Sequence, residues 1–412
     1  MNPTLNLHHS LKLLTIGNVK VGYVQNNSYL TTIQIFTKVG SQIEQPDQYG
    51  IAHILEHMFF KGSKKRPGPV SIPRAANDIG AHLNAYTTYD HTSYYITALN
   101  DSFEQAADIL FDMFLNPLFP EAEFQKELKP ILSEYRDRDD DPDDFINERA
   151  LERYYGKSYH PIIGTEKTIR SATAESMHNF KNKYYNSNNV VVVIVGGIAE
   201  NRMQQVLSRY LDDLPFSDEI NYQPLMPVAN TFELKRSAIQ EAHYNLFFQA
   251  LPIDHPRRHH EDLFNYVLGG SDSSFLFERI REELGLSCYS IDSMITRNQS
   301  FQNLNIACAI DPDEIPILER EVEIILQSFC EKQIDQHHLD RAKISIRTSI
   351  ASRMETSTGI ASLISSSILR GEVENPISKL LRELEDVTVK DIQEIAGVTL
   401  STARLRCVLW PK

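Results

Sequence analysis

The chain has 412 residues, 42% hydrophobic and 23% charged, an ordinary globular composition long enough for two domains that each bury a core. No apolar run approaches the length of a membrane span, so no membrane-spanning segment is expected. A net charge of −14 argues against nucleic acid as a partner and would steer basic peptides toward the protein. The opening residues, Met1 to His9, lack a basic stretch followed by an apolar core and are not Arg-rich, so neither a secretory signal nor a transit peptide is expected. Strand patterning follows over Leu13 to Val24 and Thr31 to Val39, then a helix bearing His53, Glu56 and His57, then more strand from Ala85 to Ala98. Periodicity predicts helices over Phe103 to Phe114, Glu121 to Arg138 and Asp144 to Tyr155, a buried strand over Val190 to Val195, and a helix from about Asn201 to Tyr210. The acidic run Asp137 to Asp144 reads as a solvated loop. A Pro-punctuated stretch from Leu214 to Val228 predicts a linker, 214–232, between domains at 1–213 and 233–412. Beyond it come a strand over Ala242 to Ala250, helices over Glu261 to Leu268 and Ser274 to Leu284, and strands around Tyr289 to Thr296 and over Asn303 to Ile310. Further helices run to about Leu369, before Cys407-Val-Leu-Trp. The expected fold class is α+β, with two halves of similar build. All four cysteines fall after residue 287 without C-x-x-C spacing, which predicts unpaired thiols in a reducing compartment and hence the cytoplasm.

The motif His53-Ile-Leu-Glu56-His57 carries the most chemistry. On a helix its two histidines stand at i and i+4, on one face and close enough to share a Zn²⁺, while Glu56 lies on the neighbouring stripe. Two neutral imidazoles would bind the metal and the carboxylate would work its water, the reversed H-x-x-E-H order of the inverzincins. A catalytic zinc site needs a third protein ligand. Glu134 is the candidate, with Glu127 two helical turns before it on the same face. Pro130 falls between them, and the apolar stripe of Phe124, Leu128, Ile131 and Leu132 predicts one kinked helix rather than a helix starting near Lys129.

The run Gly50-Ile-Ala-His53-Ile-Leu-Glu56-His57-Met-Phe-Phe-Lys-Gly62 closely resembles the metal-binding helix of the pitrilysin/insulinase-type zinc peptidases, the group that includes the mitochondrial processing peptidases. In that family 76 residues separate the second histidine from a ligand glutamate, as residues 58 to 133 separate His57 from Glu134 here. A further family glutamate, seven residues before that ligand, matches Glu127. Gly80 to Thr87 resembles the family's substrate-binding edge strand, His160-Pro-Ile-Ile-Gly164-Thr its mid-domain loop, and Asn189 to Gly197 its closing strand. The similarity runs from about Leu11 to about Leu409. It implies two similar domains, each a mostly antiparallel sheet packed with helices, the second of them contributing to the substrate chamber without a metal. It also implies one Zn²⁺ per chain on His53, His57 and Glu134, Glu56 as general base, and Glu127 supporting a ligand from behind. Unstructured peptides would add as a strand along Asn84 and Ala85, inside a chamber of which this chain supplies half.

Gly269 to Tyr289 resembles the family segment in which an arginine, followed seven residues later by a tyrosine, reaches the substrate. Arg281 matches the arginine, but Cys288 stands at the tyrosine position and Tyr289 comes one residue later, which on a strand would face the opposite side. Two arrangements fit: a homodimer, or a heterodimer in which a related subunit supplies the Arg/Tyr pair and this chain supplies the metal for cutting leader peptides or presequences. A largely non-catalytic scaffold is a third alternative, against which the intact His53, Glu56, His57 and Glu134 set argues.

Overall fold

The computed structural model describes residues 11–212, 214–216, 219–370 and 376–412. The chain forms two compact units that exchange segments. One contains the residues up to 135 with 160–222 and 349–379; the other contains 136–159, 223–348 and 380–412. The chain passes between them at Tyr222 and Gln223, within the Pro-punctuated stretch.

The first unit is built on a six-stranded sheet: β1 (Leu11–Ile16), β2 (Val19–Gln25), β3 (Leu30–Thr37), β4 (His82–Thr87), β5 (Thr92–Leu99) and β6 (Val190–Gly196), in the order β1-β2-β6-β3-β5-β4. Only β2 and β6 run parallel. The Val-rich β6 is buried throughout, because both faces of the sheet are covered. Strand alternation sorts the two faces. Ile33, Ile35, Tyr94, Ile96, Val192 and Ile194 point into a core shared with the helices Ile51–Phe59 and Phe103–Leu115. Thr32, Gln34, Ser93 and Thr97 point the other way, toward a Ser-rich covering helix, Ser357–Leu369. Thr358 lies 3.3 Å from the Thr32 hydroxyl and 3.2 Å from that of Thr97, and Ser365 donates to Gln34 Oε1 at 3.2 Å.

The second unit has β7 (Asn230–Arg236), β8 (Ala242–Gln249), β9 (Ile291–Arg297), β10 (Gln302–Ile310) and β11 (Arg404–Pro411), in the order β7-β11-β8-β10-β9. Its sole parallel pair is β7 with β11. This is the order β2-β6-β3-β5-β4 over again, with the first two strands of that order parallel in both sheets, so the repeat suggested by the sequence is present in the topology. In each unit a helix follows the second of these strands: Ile51–Phe59 after β3, and Arg258–Gly269 after β8.

Several expected elements differ. The acidic run Asp137 to Asp144, expected as a loop, is solvated but helical: it ends the helix Glu121–Asp140 and starts the helix Pro142–Tyr155, with Asp141 as the cap between them. The strand pattern over Leu13 to Val24 is the hairpin β1–β2. The strand expected over Ala85 to Ala98 is the hairpin β4–β5, its turn closed by the Thr88 N–H on the His91 carbonyl at 2.8 Å. The helix expected over Ser274 to Leu284 is one α-helical turn, Phe275–Phe277, that widens into a π-helical segment over Glu278–Glu283. The strand expected from about Tyr289 begins at Ile291. Glu121–Asp140, by contrast, is one helix through Pro130. Phe124, Ile131 and Leu132 are buried along it, and their burial outweighs the hydrogen bond lost at the Lys126 carbonyl. Among the described residues no helix is long and apolar enough to cross a membrane.

The polar seam under the covering helix predicts a specific cost. Ser365→Leu both overfills the seam and removes a donor from buried Gln34, and should destabilise the protein by about 1–3 kcal/mol. Urea unfolding monitored by circular dichroism checks this.

Candidate metal centre

The helix Ile51–Phe59 owes its direction to what meets its first turn. Gly50 has φ +91°, and it crosses Gly164 so closely that a Cβ on Gly50 would lie 2.3 Å from the Ile163 carbonyl oxygen, and one on Gly164 2.2 Å from that of Tyr49. No side chain at the N-cap satisfies the helix start. Instead the Gly50 and Ala52 N–H groups donate to the carboxylate of Glu44 at 2.6 and 2.8 Å. Glu44 is buried, and burial raises its pKa against the opposing pull of His160 and these two N–H groups. His160 Nε2 lies 3.2 Å from that carboxylate and donates to the Ser41 carbonyl at 2.7 Å, with its ring stacked on Tyr49 at 3.7 Å.

The helix sets His53 and His57 on one face with ring centroids 4.7 Å apart. Glu134 faces both from the helix Glu121–Asp140: Oε1 is 3.5 Å from His53 Nε2, and Oε2 is 3.7 Å from His57 Nε2. The donor atoms of the three residues all lie within 4.8 Å of one another. These separations are long for hydrogen bonds and close to the ~3.3 Å edge of a tetrahedron with bonds of about 2.0 Å. Interaction with His53, then with His57, holds the Glu134 carboxyl well below the usual carboxylate range, so it is anionic. Two imidazoles and one carboxylate, with a fourth position left over, fit a divalent zinc ion.

Behind His57 stands a relay of charge. Its Nδ1 lies 3.0 Å from Glu127 Oε1, and Glu127 Oε2 lies 2.6 Å from Lys61 Nζ. Burial pushes the Glu127 pKa up, but Lys61 and then His57 outweigh it and bring it below normal. Burial likewise disfavours a charged His57, and Glu134 and Glu127 overcome that and raise its pKa. An anionic Glu127 keeps the proton on Nδ1 and leaves Nε2 to face the ligand position. His53 has no such support from behind: its Nδ1 is buried without a hydrogen-bond partner among the described residues, and on that side only packing backs the ring.

Glu56 lies beside the three donors, and the Thr87 hydroxyl donates to its Oε2 at 2.5 Å. Asn84 and Ala85 lie on β4, at the edge of the first sheet, where the Asn84 side chain accepts from the Ala85 N–H at 2.9 Å. Arg281 and Tyr289 belong to the second unit. The Arg281 guanidinium sits over the rings of Phe277 (4.9 Å) and Tyr289 (5.3 Å) and donates to the Tyr289 carbonyl at 2.6 Å. Cys288 is 3% exposed and Tyr289 84%. Both precede β9, so a loop, not strand alternation, turns the thiol inward and leaves the phenol in solvent. Sequence reasoning missed Glu44, Lys61 and Thr87. Lys61 alone left a local signal, four residues beyond His57.

The helix Arg258–Gly269, which occupies the matching place in the second unit, is closed by ion pairs. Its buried Glu261 accepts from Arg297 at 2.6 Å, the Thr399 hydroxyl at 2.5 Å and the Leu251 N–H at 2.9 Å, and Arg297 also pairs with Asp262. The other grouping of three potential donors among the described residues, Asp335, His337 and His338, lies largely exposed at the start of a later helix.

Residues 20–164 match the family described as Insulinase (Peptidase family M16), and residues 171–346 match that family's "inactive domain". A protein of Rickettsia bellii named an uncharacterized zinc protease is 30% identical over 360 residues, covering 86% of this chain and 85% of the relative. The chain belongs to the insulinase family of peptidases. A second such zinc protease, from Rickettsia felis, is 27% identical over 100% of this chain and 98% of its own length. Among solved structures, a Helicobacter pylori protease superposes with a TM-score of 0.90 at 20% identity, covering 98% of this chain and 100% of that one. A Pseudomonas fluorescens structure described as a peptidase M16 inactive domain gives a TM-score of 0.90 at 19% identity, covering 98% of both chains. These two likenesses establish the insulinase-family fold: two domains of mixed α/β structure with mainly antiparallel sheets.

If Lys61 holds Glu127 in place for His57, Lys61→Met should weaken zinc binding by about tenfold to a hundredfold. Competition against a fluorescent chelator measures this, and an unchanged affinity would mean that Glu127 orients His57 unaided.

Proposed function

We propose that this chain is a zinc-dependent metalloendopeptidase acting on unstructured peptides, with one Zn²⁺ per chain held by His53, His57 and Glu134. The convergence of these donors from two helices, with Glu56 beside them, carries the reading. Bound zinc would polarise the scissile carbonyl and lower the pKa of water toward neutrality. Glu56 accepts the proton of the attacking water and returns it to the leaving amine, so that no covalent intermediate forms. Glu127 and Lys61 keep His57 in the tautomer the site needs. An extended peptide adds to the open edge of β4 along Asn84 and Ala85, displacing the Asn84 side chain from the Ala85 N–H. A folded protein offers no free strand for this, which restricts the substrate to unfolded segments.

The chain acts as half of a dimeric chamber, to which the second unit brings Arg281 and Tyr289. Their stacking at an exposed position supports a self-sufficient homodimer. The burial of Cys288 at the family's tyrosine position favours a second reading, a metal-bearing subunit that borrows its Arg/Tyr pair from a related partner and cuts leader peptides. Four unpaired cysteines support a cytoplasmic location.

The primary test pairs zinc content with chelator-sensitive cleavage of an unstructured peptide library by the purified chain. Glu56→Gln should retain zinc and lose hydrolysis by about 10²–10⁴-fold, and Glu134→Ala should lose both; unchanged turnover in either sinks the mechanism. Tyr289→Ala separates the two assemblies. In the homodimer kcat/KM should fall about tenfold or more at unchanged zinc content, whereas in the heterodimer, assayed with its partner, it should not change.

A further inference from the structure

We propose that Thr87 is the residue that positions the general base, an inference that rests on reading Glu56 in that role. An ionised carboxylate only accepts hydrogen bonds, so the 2.5 Å contact between Thr87 Oγ1 and Glu56 Oε2 fixes its own direction: the hydroxyl donates. A charge-assisted contact of this length is among the stronger hydrogen bonds a side chain makes. It occupies Oε2 and leaves Oε1 to take a proton from water. Without it, Glu56 would be a half-buried side chain with freely turning torsions, able to swing away from the reacting atoms.

The backbone gives the hydroxyl its aim. Thr87 is the last residue of β4 and pairs with Thr92 of β5. Alternation along the strand puts it on the same face as Ala85, the face turned toward the helix that carries Glu56. The branched Cβ of threonine restricts χ1, so the hydroxyl is held rather than sampled. Three residues of one short strand therefore share the work: Asn84 and Ala85 align the peptide, and Thr87 aligns the carboxylate. Base and substrate edge become one rigid body, which matters because errors of about 1 Å in placing a reacting group cost on the order of 10²-fold in rate.

The test compares Thr87→Val, which keeps the shape and removes the donor, with Thr87→Ser, which keeps the donor. Thr87→Val should retain full zinc content and lower kcat about tenfold or more with KM little changed, and Thr87→Ser should recover most of the loss. In the metal-free protein, the shifts in urea midpoint caused by Thr87→Val and Glu56→Ala, which removes the acceptor, should be non-additive in a double-mutant cycle. A Thr87→Val enzyme with wild-type kcat overturns the inference. So does a Thr87→Ser enzyme as slow as Thr87→Val, which would assign the effect to packing, and so do additive midpoints. Full turnover in Glu56→Gln would overturn the reading of Glu56 and this inference with it, whereas full turnover in Thr87→Val leaves the role of Glu56 standing.

Discussion

A buried carboxylate at the start of a nine-residue helix is the constraint from which the candidate metal centre hangs. A helix that begins inside a protein leaves its first N–H groups without partners, and Gly50 has no side chain to offer them. Glu44 satisfies two of them from outside the helix and places negative charge at its positive end. The cost of burying that charge is offset by His160, itself held by the Ser41 carbonyl and by stacking on Tyr49. So short a helix has little inertia of its own. A change of a few degrees at Gly50 would move His57, about two turns further on, relative to Glu134 on a different helix. The tight crossing of Gly50 and Gly164 removes that freedom.

From that fixed axis, support spreads outward one contact at a time. His57 leans on Glu127, and Glu127 on Lys61. Glu56 is tied to β4 by Thr87. His53 is the exception, with nothing bonded behind its ring, and this asymmetry makes His57 the candidate ligand whose orientation is set electrostatically. The repeated topology of the second unit reveals what the same framework does without such a site. There the corresponding helix closes over Glu261 and Asp262 with Arg297, a cation supplied by the chain itself.

What could be read from the sequence followed how local the determining physics was. His53, Glu56 and His57 declare themselves because one helical turn fixes their mutual geometry. The alternating and continuous apolar runs located β3, β6, β8 and β10 for the same reason. Glu134 was found by its interval in a family pattern; no propensity brings together residues 77 positions apart. Glu44 and Thr87 left no trace, since each acts only because a loop or a strand end is carried to the metal helix by tertiary packing. The hairpin turn at Thr88 to His91 was hidden by strand-forming residues on both sides. The π-helical widening at Glu278–Glu283 was hidden because its side-chain pattern reads as an ordinary helix. Pro130 shows the reverse case, where a local prohibition yields to burial on the opposite face.

The covering helix Ser357–Leu369 comes from the last eighth or so of the chain, yet it lies on the sheet formed by β1 to β6. A ribosome must therefore proceed far beyond β6, through most of the second unit, before that sheet acquires its second layer. During synthesis the waiting surface is mixed: Thr32, Gln34, Ser93 and Thr97 present hydroxyls and amide along β3 and β5, beside Val191, Val193 and Val195 of β6, which alternate with the inward Val192 and Ile194. A nascent sheet of this kind leaves the stripe along β6 as bare hydrocarbon on its outer face, and that stripe, buried in the finished protein, is what the late helix has to cover.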